Sequence, residues 1–302
     1  MANFDVTIKS SNGEITFWGS RRNSDGSLNK IGYNPPMDGL GEPGRRTTTS
    51  TKSGADGGLV VSTDQQYDIR TITMDAWAIC ETYDEIRTLE SKLASSMPIR
   101  QMVDVYVDTP LNQRLGCKAL VTKASPSVPY SKGGILVMDI SIELIAPDPY
   151  FLDYTSGSAF SVKLHKASAG GLLWNASGLA WSASELPWSA GSGDNLVVNT
   201  GQEDVYPRIY IRGTVHNPEI ANVGQDKAVR LNLTTSSDDE VILDLSDEIA
   251  TLNGANIRFN INDASEWWSL TPGNNTISYK SDSVNDDAEI ELVYYPRYAR
   301  AI

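Results

Sequence analysis

Residues Thr82-Tyr83-Asp84-Glu85-Ile86-Arg87-Thr88-Leu89-Glu90-Ser91-Lys92-Leu93 carry the one clear helical signature in this chain. Thr82 and Glu85 have the spacing of a capping box, in which a hydroxyl and a carboxylate satisfy backbone N–H groups at a helix start. Ile86, Leu89 and Leu93 fall at i, i+3 and i+7, one face of a helix, and Pro98 stops the run. On both sides apolar residues alternate with polar ones: from Ile69 to Ile79, at Val103, Val105 and Val107, and at Leu136, Met138, Ile140, Ile142 and Leu144. A period of two marks half-buried strands. A lone amphipathic helix among strands needs a sheet to bury its apolar stripe.

Working outward, Phe4 to Trp18 reads as a hairpin turning at Asn12-Gly13. Residues 34 to 58 form a loop rich in Gly, Thr, Ser and Pro; a structureless loop of that length is functional or disordered when alone. Ala146-Pro147-Asp148-Pro149-Tyr150 breaks the sheet, because proline cannot supply a ladder hydrogen bond. A first domain is thus expected over residues 1–152 and a connecting segment over 153–198. In that segment Trp174, Trp181 and Trp188 recur every seven residues, but Gly178, Pro187 and many serines argue against a helix. These tryptophans are read as packing on a neighbouring domain or binding a partner. Residues 199–302 read as short strands, at 207–213, 229–234, 241–245, 257–261, 276–280 and 289–295, whose spacing suits an antiparallel sandwich.

The net charge is −13 and unevenly divided: residues 1–150 carry 15 basic and 18 acidic groups (−3), residues 151–302 carry 10 and 20 (−10). An acidic chain repels phosphate backbones, which argues against sequence-specific nucleic-acid binding. No apolar run approaches the ~20 residues of a membrane-spanning helix. The opening Met-Ala-Asn-Phe-Asp-Val-Thr-Ile lacks the regions of a signal peptide, so synthesis in a cytoplasm is expected. Cys80 and Cys117 lie in strand-like runs and read as buried reduced thiols, with a disulfide between them as the alternative for a secreted chain.

Signals for catalysis are thin. His165 and His216 are the only histidines, and there is no Gly-x-Ser-x-Gly elbow, Walker loop or Cys-x-x-Cys pair. Asp238-Asp239-Glu240 and Asp286-Asp287 sit in turn-like sequence as solvated charge. Asp282 to Asp287 lacks the glycine and the distal glutamate of an EF-hand loop. His216-Asn217-Pro218-Glu219 is similar to part of a galectin sugar-binding sequence, but Glu219 stands where that sequence has arginine, and an Asn-Pro turn explains it more simply. No cofactor, metal site or enzymatic activity is expected.

Taken in order, these pieces resemble the distal tail proteins (Dit) of long-tailed, siphovirus-type bacteriophages. The resemblance rests on Gly39-Leu40-Gly41-Glu42-Pro43, Arg70-Thr71-Ile72, Tyr83 through Leu93, and Ala146-Pro147-Asp148-Pro149-Tyr150. It continues with Asn199-Thr200-Gly201 leading to Tyr206-Pro207, Gly213, Asn217-Pro218, and Trp268-Ser269-Leu270-Thr271-Pro272-Gly273-Asn274-Asn275. It implies a mainly β chain of two β-sandwich domains, the first tail-tube-like with one α-helix, the second (199–302) galectin-like. It also implies a structural virion protein of the tail tip, a homo-hexameric ring joining the tail tube protein to the tail-tip hub of the baseplate, with receptor-binding or accessory baseplate proteins as further partners. Arg45, Arg46, Thr47 and Thr48, a basic and hydroxyl-rich step in the long loop, are the residues expected at the subunit interface. The competing reading is a carbohydrate-binding or carbohydrate-cleaving sandwich, with Trp174, Trp181 or Trp188 stacking on sugar rings.

Overall fold

The computed structural model describes residues 4–20, 30–46, 49–51, 58–60, 66–165, 194–282 and 287–301. The chain forms two compact units. Unit 1 is Met1–Ser158 together with Arg297–Ile302; unit 2 is Ala159–Pro296.

Unit 1 begins with β1 (Asp5–Ser10), β2 (Gly13–Phe17) and β3 (Ile31–Asp38). Four short strands follow: β4 (Arg45–Arg46), β5 (Thr49–Thr51), β6 (Gly58–Val60) and β7 (Gln66–Tyr67). Then come β8 (Arg70–Cys80), α1 (Tyr83–Ser96), β9 (Met102–Asp108), β10 (Arg114–Pro126), β11 (Tyr130–Lys132), β12 (Ile135–Ala146) and β13 (Phe151–Asp153). Unit 2 contains β14 (Phe160–Leu164), β15 (Asp194–Asn199), β16 (Arg208–Arg212), β17 (Glu219–Asn222) and β18 (Lys227–Arg230). It is completed by β19 (Glu240–Asp244), β20 (Ile249–Leu252), β21 (Ala255–Asn256), β22 (Gly273–Lys280) and β23 (Glu289–Tyr294). A last strand, β24 (Arg297–Tyr298), belongs to unit 1.

The layers of unit 1 are one continuous sheet in the order β2-β1-β9-β10-β12-β8-β3. Its two ends meet where Trp18 bridges Gly32, so the sheet curls round on itself. The alternation read from the sequence is the packing pattern: Val103, Val105, Val107, Met138, Ile140, Ile142 and Leu144 are all buried in the core. Helix α1 starts at Thr82, whose hydroxyl accepts from the Glu85 N–H, and closes at Met97, just before Pro98. Ile86, Leu89 and Leu93 are buried in the core of unit 1.

Several expectations need correcting. The first hairpin turns at Ser11-Asn12, with Ser10 opposite Gly13. Gly13 lies close to the end of the helix, where a Cβ would meet Ser95 Oγ at 2.8 Å and turn that hydroxyl aside. The Pro-Asp-Pro segment interrupts the sheet without ending it: β13 resumes beside β10, and β24 pairs β13. The long loop is partly paired, β4 with β7 and β5 with β6, and forms an arm of nested ladders. Residues 160–164, and 194–199 up to residue 198, fall within the expected connecting segment but are strands of unit 2. These pairings join residues far apart in sequence, which no local pattern announces.

Unit 2 is a sandwich of a six-stranded sheet (β14-β23-β16-β19-β20-β21) and a four-stranded sheet (β15-β22-β17-β18). Ile209, Ile211, Leu243, Ile290 and Leu292 share one core with Val197, Ile220, Ile277, Tyr279 and Trp268. Residues 257–261 are not a strand. Arg258–Asn260 make a 3-10 turn that leaves Phe259 fully exposed.

Candidate functional site at the base of the arm

Arg70, the first residue of β8, is only 1% exposed. Its guanidinium has no ion-pair partner among the described residues. Instead it donates to four backbone carbonyls: Pro149 through Nε at 2.7 Å, Gly39 and Gly41 through Nη1 (the latter 2.7 Å), and Ala299 through Nη2 at 2.6 Å. Its carbon centre lies 4.3 Å from the Phe151 ring centroid, a cation–π contact. Burial pulls its pKa down, although the nearby Cys117 and Asp148 act the other way. Four carbonyl dipoles and a ring face replace the water this charge has lost.

The partners of Arg70 explain three separate motifs at once. Gly39 has φ +89°, and a Cβ there would collide with the Thr71 carbonyl oxygen, so only glycine brings this carbonyl to Arg70. The Pro149 carbonyl comes from the sheet-breaking exit. The Ala299 carbonyl comes from the segment that returns after unit 2.

Beside this hub stands the root of the arm. Arg45 lies over the Tyr67 ring at 5.7 Å, Tyr67 meets Tyr150 edge-on at 5.7 Å, and Arg297 lies over Tyr150 at 4.4 Å. Carboxylates hold the cations: Glu42 accepts from Arg45 at 2.5 Å and from the Tyr67 hydroxyl at 2.7 Å, Asp68 from Arg46 at 3.2 Å, and Asp148 from Arg297 at 2.7 Å. The bonds from Arg45 and then Tyr67 lower the pKa of Glu42. The Ile69 N–H and then Arg46 lower that of Asp68. These pairs are exposed and orient more than they stabilise.

Unit 2 has its own buried polar cluster, built from the remaining motifs. Asn275 Oδ1 accepts from the Thr271 N–H at 3.0 Å, while its Nδ2 donates to the carbonyls of Thr271 (2.7 Å) and Gly273 (3.1 Å). Asn222 donates to the Ser269 carbonyl at 3.0 Å, and Asn199 to the Leu270 carbonyl at 2.9 Å. The Trp268 indole donates to the Ile220 carbonyl at 3.3 Å. The Trp-Ser-Leu-Thr-Pro-Gly-Asn-Asn stretch is thus a loop pinned by buried amides.

Residues 200–298, which span this cluster, match the family described as siphovirus-type tail component, C-terminal domain. That stretch, about a third of the chain, is thus similar to the C-terminal domain of siphovirus-type tail components. The fold agrees. The crystal structure of the Dit protein of phage SPP1, titled a paradigm of the hub adsorption apparatus in phages infecting Gram-positive bacteria, superposes with a TM-score of 0.63 at 14% identity, covering 97% of this chain and 98% of that one. The baseplate of phage P2 in its activated conformation with Ca matches at a TM-score of 0.44 and 11% identity over 97% and 98% of the two chains. No curated protein matches the sequence.

The residues singled out in the sequence fall in different places. Arg45 and Arg46 are exposed on β4, each with a carboxylate partner in its own chain, Glu42 and Asp68. The Glu42–Arg45 spacing was a readable signal; Asp68 reaches Arg46 only through the arm pairing. Thr47, Thr48, Trp174, Trp181 and Trp188 lie outside the described residues. In the sequence Arg70 stands only as part of a motif, and its role as a hub is visible only from the carbonyls around it. Asn217, at φ +46°, donates to Asp282 at 2.8 Å, which makes the His-Asn-Pro stretch a turn. No group of three or more His, Cys, Asp or Glu that could hold a metal ion occurs among the described residues. Cys80 and Cys117 are free thiols, and burial pushes Cys117 up to about 12.

Proposed function

We propose that this tail component is a structural ring protein: six copies joined head-to-tail at the distal end of the tail, linking the tail tube to the tip hub, with no catalytic activity. The observation that carries this reading is an open strand edge in unit 1. Strand β10 pairs β9 only as far as Leu120, opposite Met102, and then continues to Pro126 with β12 as its one partner among the described residues. Exposed apolar side chains stand near both ends of that edge: Ile99, Met102 and Leu120 at one, Val128, Tyr130 and Ile135 at the other. An open edge with apolar flanks is a place for another chain to add. Lys123 and Pro126 restrict which strand fits there. A head-to-tail contact that repeats closes into a ring when its rotation allows.

Charge favours unit 1 as the part that packs around the axis. With 17 basic and 19 acidic residues its formal charge is −2, whereas unit 2, with 8 and 19, carries −11. Crowding six copies of the first costs far less electrostatic energy. The root of the arm, where Arg45 and Arg46 are exposed, is read as a second contact, made with the next subunit or the adjoining tube ring. Unit 2, read as galectin-like, is left for hub or accessory partners.

Negative-stain microscopy and light scattering of the full chain test the proposal. A six-fold ring is expected, and Ile99→Asp with Val128→Asp should leave folded monomers. A wild-type protein that stays monomeric at tens of micromolar, or a double variant that still forms rings, would overturn it.

A further inference from the structure

Unit 1 is finished by residues that the ribosome adds only after unit 2. Between Ser158 and Arg297 lie the 138 residues 159–296, which at ordinary synthesis rates take roughly 7–30 s to make. The returning segment then does three things in unit 1. Strand β24 covers the edge of β13, pairing Tyr298 with Phe151 and Arg297 with Leu152. Ala299 supplies one of the four carbonyls on Arg70, and the Ala301 N–H donates to the Leu40 carbonyl at 2.9 Å. Arg297 caps the Tyr150 ring and pairs with Asp148. Ala299 and Ala301 are themselves buried.

All three contacts converge on the segment from which the arm springs. Leu40 and Gly41 precede Arg45 by only a few residues, and Tyr150 is the ring on which Tyr67 rests. Without the returning segment Arg70 keeps three carbonyls and Phe151, but one side of its site opens to water. The aromatic stack loses its terminal cation. Apart from the β13–β24 pair, the strand pairings of the main sheet lie within residues 5–153, and α1 packs inside the same span; from the returning segment Ala301 and Tyr298 add to the edge of the core.

We propose that residues 297–301 act as a strap that locks the root of the arm, residues 38–46 and 66–70, so that unit 1 becomes competent to join a ring only after unit 2 has been made. This rests on the reading above that the arm contributes to subunit contacts. Unit 1 of an unfinished chain is then folded but unlocked, and stays out of the ring.

Three chains test it: one terminated after Pro296, one carrying Ala301→Pro, which removes the N–H given to Leu40, and one carrying Arg70→Lys, which cannot reach four carbonyls in a plane. Hydrogen-exchange mass spectrometry reads residues 38–46 and 66–70 against α1 and strands β16 and β19 as internal controls, and light scattering reads assembly. Exchange at the arm root is expected to rise at least tenfold in the terminated chain and about threefold in the point variants. The controls should be unchanged, and the terminated chain should remain monomeric. Unchanged exchange at the arm root would overturn the strap itself. Faster exchange with rings still forming would instead overturn the arm as an assembly contact, and with it the checkpoint. If termination melts α1 as well, the two point variants carry the same comparison.

Discussion

Asn275→Ala should destabilise unit 2 by about 2–3 kcal/mol without touching any apolar contact of consequence. The Asn275 side chain is 4% exposed and makes three good hydrogen bonds to backbone, one accepted from the Thr271 N–H and two donated to the carbonyls of Thr271 and Gly273. A net ~1 kcal/mol for each gives about 3 kcal/mol. Thr271 and Gly273 are themselves exposed, so water re-satisfies part of what alanine abandons, which sets the lower end of the range. Asn275→Asp should be at least as harmful, since it places an oxygen where an amide now donates to two carbonyls. Two units of this size need not unfold together, so a single global melt is the wrong assay. Native-state hydrogen exchange resolved to peptides in 216–234 and 267–280 reads unit 2 alone, and calorimetry should show its transition lowered by roughly 8–12 °C. The neighbouring Asn274 is exposed on the same strand, and Asn274→Ala should change stability by less than about 0.5 kcal/mol. If Asn275→Ala moves exchange no more than Asn274→Ala, the amide cluster does not hold the Trp-Ser-Leu-Thr-Pro-Gly loop and the reasoning fails.

Other tests follow from unit 1. Leu89→Ala should cost about 2–5 kcal/mol, because Leu89 is central to the apolar face of α1 and is buried in the core; a denaturant midpoint shift equivalent to under ~0.5 kcal/mol would mean the helix does not pack on the sheet. Asp5 lies opposite Asp108, and burial first, then that neighbour, raises its pKa despite the Gly19 N–H it accepts. A carboxyl raised on folding favours the native state most below its unfolded value, and that benefit is lost as pH rises through the folded value. Asp5→Asn, which keeps the acceptor for Gly19, should therefore stabilise unit 1 at pH 7 and match wild type at the acid end; a destabilised variant at pH 7 would reverse this reading. The Gly44 carbonyl accepts from the Asp68 N–H at 2.7 Å, so the arm can be replaced by a two-glycine joint across residues 45–67. That chain should melt like wild type yet fail to form rings by light scattering. Arg45→Ala with Arg46→Ala should weaken assembly and its salt dependence; rings with unaltered salt dependence would take both arginines out of the interface.

Features set by neighbours along the chain are legible in the residues alone. The Thr82 cap, the Ile86–Leu89–Leu93 stripe and the stop at Pro98 are all local, and each is where the spacing placed it. The buried faces of β9 and β12 follow from a period of two, because strand side chains alternate whatever lies beyond them. The motifs marking a tail component could be recognised in order, but not what they do. Gly39, Arg70 and Pro149 look like three unrelated signatures until the fold brings a glycine carbonyl, a guanidinium and a prolyl carbonyl within hydrogen-bonding distance. The resumption of the sheet after Pro149, the pairing of the arm and the return of Arg297 to unit 1 were likewise settled only by tertiary structure. Strand pairing depends on which distant backbone is available to share hydrogen bonds, and a single strand carries no record of its partner's address.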